Sequence, residues 1–523
     1  MTTSDASSTL ALTGGRGGDG GSPGYMLDPE GEYDTRGGEG AAGGLASGYV
    51  NAVRASGNVT VQVNTVGGSG GRGSSSSNGY YGEMGGSGGQ GVSSADVATG
   101  TGNANVEVNA TGGSGGSTGW GGGGSFGLAG GSALARGTAT ALNGAVTGVA
   151  RAQIGSGARP LEYWNRVDAT AELTLTGSSL VSGQSSAVGM TANATLTLRG
   201  AGASGTASAR GDIANSLVRA TTTGRSLVDL TAFAQVDHSG NANAELYVDA
   251  GYSSPAAGNA TVTGKALASA GSAIYAGNTA RVTLLGSGAI VGVSEARGSD
   301  GNISWEGCYD GCEHSGGTAD SYASGITRGN GNVTLTALAV AGKSYPLGNY
   351  GGGAASAVAS GQSGSGRVIA KAEAHSFVDG DWDQVYKPAV HASATTLAAG
   401  GSTYAEATHV ARESASYAVL AEASSVGSGG ARAVAIGIGN GGYLESRASA
   451  SGGGLTVTTY SNRVSASGAA SIATSANVGG AVDGLPGSDS ELGLVSYATG
   501  APSSATTAAL RESSPGGAST HAH

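Results

Sequence analysis

The sequence predicts an all-β fold: an elongated, repetitive, β-helix-like solenoid whose N-terminal repeats are Gly-rich and suited to polyglycine helices. Three observations predict it. Short stretches alternate apolar and polar residues with period two, as half-buried strands do. The beginning of the chain repeats itself at a 45-residue offset. The inward candidates are mostly Val, Ala, Leu and Thr, with 3 Phe in 523 residues. A two-sheet sandwich needs large side chains to fill a core about 10 Å thick. Stacked coils need only a narrow core, because each coil rests on its neighbours.

The repeats set the organisation. Gly57-Asn58-Val59-Thr60-Val61-Gln62-Val63-Asn64 matches Gly102-Asn103-Ala104-Asn105-Val106-Glu107-Val108-Asn109. Each is followed by the same block, Gly67-Gly68-Ser69-Gly70-Gly71 and Gly112-Gly113-Ser114-Gly115-Gly116. Gly14-Gly15-Arg16-Gly17-Gly18 opens a longer first copy. Aromatic inserts follow the blocks at Tyr25 and Tyr33, at Tyr80 and Tyr81, and at Trp120 and Phe126. Two readings of the Gly blocks stay open: packed three-fold helices, which a residue without Cβ permits, and flexible linker. Beyond Trp164 the strand signature continues without the blocks, at Gly240-Asn241, Gly258-Asn259 and Gly331-Asn332. Val59, Val61 and Val63 are expected to face the core with Thr60 and Gln62 outside. Ala370, Ala372 and Ala374 are expected to do the same against Lys371 and Glu373. The expected parts are a segment 1–13, three Gly-rich repeats over 14–159, a solenoid body over 160–483 and a loose tail over 484–523. Segments 1–50 and 484–523 lack the repeated strand and are expected to fray.

Composition excludes several classes. With 102 Gly but only 9 Pro, and no strict Gly period, the chain is not collagen. It has no apolar run long enough to span a membrane as a helix. A net charge of −11 argues against nucleic acid. Met1-Thr2-Thr3-Ser4-Asp5 has neither the basic nor the apolar region of a signal peptide. The cytosol, or export by a signal outside this sequence, remain the two readings, and composition favours the second.

The Gly-Asn-x-x-Val-x-Val-Asn strands set between Gly-Gly-Ser-Gly-Gly blocks resemble the repetitive Gly/Ala/Ser/Thr-rich exported proteins of bacteria, many of which carry a PEP-CTERM sorting tail. The likeness covers most of 14–480; the Pro-Glu-Pro motif and the hydrophobic tail do not occur in this sequence. The resemblance implies extracellular or cell-surface structural material.

Candidate chemistry is sparse. Asp379, Asp381 and Asp383 alternate in a short segment, a spacing that suits Ca²⁺, a solvated acidic loop, or a carboxylate cluster with His375. The EF-hand pattern fails, since Gln384 and Val390 stand where Gly and Glu are required. Asp28, Glu30, Glu32 and Asp34 read as a solvated insert. Cys308 and Cys312 fit a local disulfide, or an incomplete metal pattern with His314. Asn58, Asn109, Asn193, Asn259, Asn302 and Asn332 lie in Asn-x-Ser/Thr and read as ladder positions or glycosylation sites. Arg210-Gly211-Asp212 reads as an accidental tripeptide in so Gly-rich a chain. Thr-x-Thr pairs at 174/176, 195/197, 261/263, 334/336 and 456/458 suggest an ice-binding array, but their spacing along the sequence is irregular. Catalytic residues and cofactors are not expected. The expected function is a self-assembling extracellular fibre, sheath or matrix, with copies of the chain as partners in a head-to-tail filament and cell-surface glycans as a further partner. The alternatives are a surface adhesin, an ice-binding solenoid, or a β-helix hydrolase or lyase of polysaccharides.

Overall fold

In a computed structural model the chain is all-β, and no helix occurs among the described residues. The structure describes residues 5–427 except 22–25, 28–32, 35–37, 76–82, 119–128, 158–166, 224–225, 238–239, 253–260, 271–276, 301–315, 344–352, 378–389 and 413–415, and beyond them the backbone of strands as far as Ala518–Ala522. Side chains are not described for 409–421 or past 426.

The chain divides into two compact units, Met1–Leu217 and Val218–His523. One pairing rule builds both. From Ala46 to Gly439 each strand pairs in parallel with the strand two places along the chain, so a coil contributes one strand to each of two facing sheets. Ala6–Thr13 joins Val59–Val66, and a short antiparallel pair, Met26–Leu27 with Tyr33–Asp34, intervenes in the sequence. In the first unit, sheet I stacks Ala46–Ser56, Gly91–Thr101, Ala133–Asn143, Asp168–Gly177 and Thr191–Gly200. Sheet II stacks Ala6–Thr13, Val59–Val66, Ala104–Thr111, Val146–Gln153, Leu180–Val188 and Gly202–Gly211. In the second unit, sheet I runs from Ala242–Ala250 through Asn278–Gly286, Ala319–Thr327 and Ala355–Ser363 to Val390–Ala398. Its sheet II runs from Val228–Val236 through Val262–Ala270, Ile290–Arg297, Val333–Val340 and Val368–Phe377 to Thr403–Arg412. The predicted β-solenoid is therefore the observed fold.

Alternation decides which residues enter the core. Val59, Val61 and Val63 are buried while Thr60 is exposed, and Ala370, Ala372 and Ala374 are buried against exposed Lys371 and Glu373. The two sheets lie close because their inward residues are complementary in size. Leu173, Leu175 and Leu196 are fully buried. Opposite them stands Gly183, where an added Cβ would lie 2.8 Å from Leu175 Cδ1 and 2.9 Å from Leu196 Cδ1. In the second unit a Cβ on Gly264 would lie 2.3 Å from Leu246 Cδ2 and 2.7 Å from Leu284 Cδ2. Farther along, the large residue changes sheet: Leu335, on sheet II, closes on Gly325 of sheet I. Several buried serines donate across the core to main-chain carbonyls, while Ser74 Oγ and Ser376 Oγ are buried with no partner among the described residues. Ser185 Oγ donates to Ala171 O and Ser294 Oγ to Ala280 O, both at 2.8 Å.

The Gly blocks are packed three-fold helices, not linkers. Donors recur at every third residue, the period of a polyglycine helix. Gly14, Gly17 and Gly20 N–H donate to Val66, Ser69 and Arg72 O, and Gly67, Gly70 and Gly73 N–H to Thr111, Ser114 and Ser117 O. These parallel segments extend sheet II. Segments 38–45 and 83–90 extend sheet I in the same way, and the two layers run antiparallel, with Gly68 and Gly71 N–H donating to Gly44 and Ala41 O. Backbones approach so closely that a Cβ on Gly113 would lie 1.9 Å from Gly68 O. A smaller cluster of the same kind joins Gly298, Gly317, Gly342 and Gly353.

The expectation that the beginning of the chain frays is corrected. Ala6–Thr13 and Ala46–Ser56 do not fray; both are strands, held by parallel pairing to Val59–Val66 and Gly91–Thr101. Asp5 takes the place of the missing Asn, its Oδ1 accepting Asn58 N–H at 3.2 Å.

Candidate functional site: the open edge of the first coil

The Gly-Asn signature is a turn that also links coils. Gly57 and Gly102 have φ of 90° and 119°, a left-handed conformation that L side chains resist. The Asn that follows accepts a main-chain N–H from the next coil. Asn103 N–H donates to Asn58 Oδ1 at 2.8 Å, and Ala145 N–H to Asn103 Oδ1 at 3.0 Å. Asn332 Oδ1 accepts Arg367 N–H at 2.9 Å in the same way. Outward amides also stack: Asn109 Nδ2 donates to Asn64 Oδ1 at 2.8 Å and Asn215 Nδ2 to Asn193 Oδ1 at 3.0 Å. Four of the Asn-x-Ser/Thr asparagines, Asn58, Asn109, Asn193 and Asn332, thus occupy ladder positions.

Several charges on the outward faces stand beside opposite charges or neutral groups. Glu172 is in register with Arg136 on one side and Thr195 on the other. Arg136 Nε lies 2.6 Å from Glu172 Oε2, and the carboxylate raises the guanidinium pKa by hydrogen bonding and charge. Lys371 is in register with Glu406, 2.9 Å away. Tyr49 donates its hydroxyl to Asp96 Oδ2 at 2.9 Å, which holds the phenolic proton and raises that pKa. Partial burial pushes the Asp320 carboxyl up.

The threonines gather more regularly than their sequence spacing suggests. Thr138, Thr174 and Thr197 form one column on sheet I, and Thr140 and Thr176 form the next. Asp96 precedes the first column, and Arg199 follows the second.

The coil at the start of the chain is chemically unfinished. Among the described residues, Ala6–Thr13 has a parallel neighbour on one side only. Ala6 N–H donates to Asn58 O and Gly14 N–H to Val66 O, so the even-numbered groups face that neighbour. The peptide groups of Ser7, Thr9, Ala11 and Thr13 therefore face the open side. Leu12, in register with buried Thr65, is 37% exposed, whereas Val63 one coil farther in is fully covered. Across the core, Val50 and Ala52 are also only half-buried.

The other candidates fare differently. Asp379, Asp381, Asp383, Cys308, Cys312 and His314 lie outside the described residues, as do Asn259, Asn302 and the side chains of the aromatic inserts and of Asp28, Glu30, Glu32 and Asp34. Among the described residues no group of acidic, His or Cys side chains could hold a metal ion. His375 instead contacts Glu373 at 2.5 Å. Arg210 and Gly211 end a strand rather than project a loop. No described helix is long and apolar enough to cross a membrane. Compared with models of known families and with curated proteins, the chain matches none.

Proposed function

We propose that this chain is an extracellular structural protein that assembles with copies of itself into a fibre, sheath or matrix around bacterial cells, and that it works by assembly rather than catalysis. The observation that carries this reading is the edge at Ala6–Thr13, which no described strand pairs on its outer side, with Leu12 37% exposed beside it. Such an edge is a template for another chain unless charge or a covering segment blocks it. Its outward side chains are Ser7, Thr9, Ala11 and Thr13, none of them charged. A contact of this edge with the far end of the next copy does not close on itself and gives a filament. Electron microscopy of the purified chain, together with sedimentation over a wide concentration range, tests the reading. Fibres or higher oligomers are expected; a chain that stays monomeric up to its solubility limit would overturn it.

The in-register threonines support a second reading, adsorption to a periodic solid such as ice. Thermal hysteresis in a solution of the chain would favour it; freezing behaviour no different from that of an inert protein would dispose of it.

A further inference from the structure

The Gly array contains three hydrogen-bond relays that run from helix to helix between its layers. One passes from Gly155 N–H to Gly131 O, then Gly131 to Gly113, Gly113 to Gly89, Gly89 to Gly68, Gly68 to Gly44, and Gly44 to Gly15 O. A second passes from Gly116 to Gly86, Gly71, Ala41 and Gly18. The third passes from Glu83 to Ser74, Gly38 and Gly21. All three arrive at one segment, 14–21, and at every third residue of it. In each relay the residue whose carbonyl accepts also donates its own N–H onward. Gly15, Gly18 and Gly21 are the next donors, and their N–H groups have no acceptor among the described residues.

The neighbouring row of acceptors is open as well. In the interior segment, the carbonyls of Val66, Ser69 and Arg72 accept from Gly14, Gly17 and Gly20. The equivalent carbonyls of 14–21 belong to Thr13, Arg16 and Asp19, and no described N–H reaches them.

Space gives an independent observation. On their other facet, Gly14, Gly17 and Gly20 are forced: a Cβ there would lie 2.1, 2.0 and 1.8 Å from a backbone oxygen. At Gly15, Gly18 and Gly21 a Cβ would meet nothing within 4 Å. Nothing described requires glycine at these three places, yet all three are glycine. Glycine is required there only if another backbone comes as close as the interior helices do.

We infer that the Gly15/Gly18/Gly21 face is a docking surface for the same segment of a second copy of this chain, packed antiparallel about a two-fold axis. The face is self-complementary, since it offers both a row of donors and a row of acceptors, as an isologous contact requires. Antiparallel packing is already the arrangement between layers in the array. The inference rests on the self-assembly reading; it joins two copies head-to-head at this end in place of the head-to-tail contact, so a fibre then requires the opposite ends of the pair to join as well.

Sedimentation of the full chain and of Gly18→Leu tests it. The substitution enters open space, so the variant should fold. Wild type should associate, and the concentration needed for association should rise roughly tenfold or more in the variant. Thermal melts, run below the concentration at which wild type associates, should coincide. If Gly18→Leu associates like wild type, the docking surface is wrong and self-assembly by another surface stands. If wild type never associates, both readings fall. A lower melting temperature for the variant in dilute solution would mean that the chain's own residues cover the face, and would overturn the inference.

Discussion

Glycine acts here as an absence of volume more than as a flexible hinge. Gly264 lies between Leu246 and Leu284, and Gly183 among Leu173, Leu175 and Leu196. Adding a methyl group at Gly264 overfills a core that cannot widen without separating two sheets. Gly264→Ala should cost about 1–3 kcal/mol, the usual range for overpacking, as measured by denaturant unfolding. Asp320 presents the opposite case, a polar group where partial burial is unfavourable. Its folded pKa is raised above the unfolded value, so the folded state gains stability as pH falls through that raised pKa, and at neutral pH the ionised carboxylate carries the penalty. Asp320→Asn should therefore stabilise the fold slightly at pH 7, by no more than about 0.5 kcal/mol, read as a small rise in melting temperature. The difference should shrink as the pH approaches the ordinary carboxyl range. An equal effect at both pH values would rule out this account of Asp320.

Between neighbouring strands, main-chain ladders matter more than ion pairs. The Asn103 side chain satisfies Ala145 N–H at a turn where both partners are fixed. Arg136 and Glu172 are 57% and 40% exposed, so water competes for their attraction. Asn103→Ala should cost about 1 kcal/mol, and Arg136→Met less than about 1 kcal/mol; a reversed order in urea titrations would contradict the ladder argument. This scale is also where the sequence was most readable. Alternation at Val59, Val61 and Val63 gave the inward face, and Gly57-Asn58 gave the turn, because each depends on local geometry alone. Ala6–Thr13 was missed because it lacks the Gly-Asn signature. Asp5, placed before Ala6 as Asn58 is placed before Val59, was the available signal. The five Thr-x-Thr pairs do not form one array, since Thr263 stands beside Asp229 and Val291 and Thr336 beside Val293 and Lys371; the short columns at Thr138 and Thr140 were not seen in the sequence. Residues between strands vary in number without moving the register, so Thr138 and Thr174 are 36 positions apart in sequence yet adjacent on sheet I. An open end was legible, since the short polar segment 1–13 offers no cap to a solenoid, but not that Ala6–Thr13 is itself the strand that forms it.

At the scale of the whole molecule, stability is a sum over neighbours, because each coil meets only the coils before and after it. Damage should stay local. Gly113 lies in the first unit, and a Cβ there would press on the Gly68 carbonyl. That carbonyl belongs to a helix already bonded on several sides and cannot move alone. Calorimetry of Gly113→Ala should show a lowered transition for residues 1–217 and an unchanged one for 218–523. A single transition that shifts as a whole would mean that the chain melts as one cooperative body.

The stacking rule also bears on how such a chain changes over generations. Register is set strand to strand, and Val59–Val66 and Ala104–Thr111 present equivalent residues to whatever lies beneath them. Excising residues 59–103 would bring Ala104–Thr111 directly onto Ala6–Thr13, with Asn58 still completing the turn. One period would vanish and every remaining partnership would have a counterpart. The near-identical Gly blocks on either side are themselves sites where misaligned copying of a gene adds or removes such a period. The length of this protein is therefore an inherited variable that can drift by whole coils, while the fold, specified one layer at a time, stays the same.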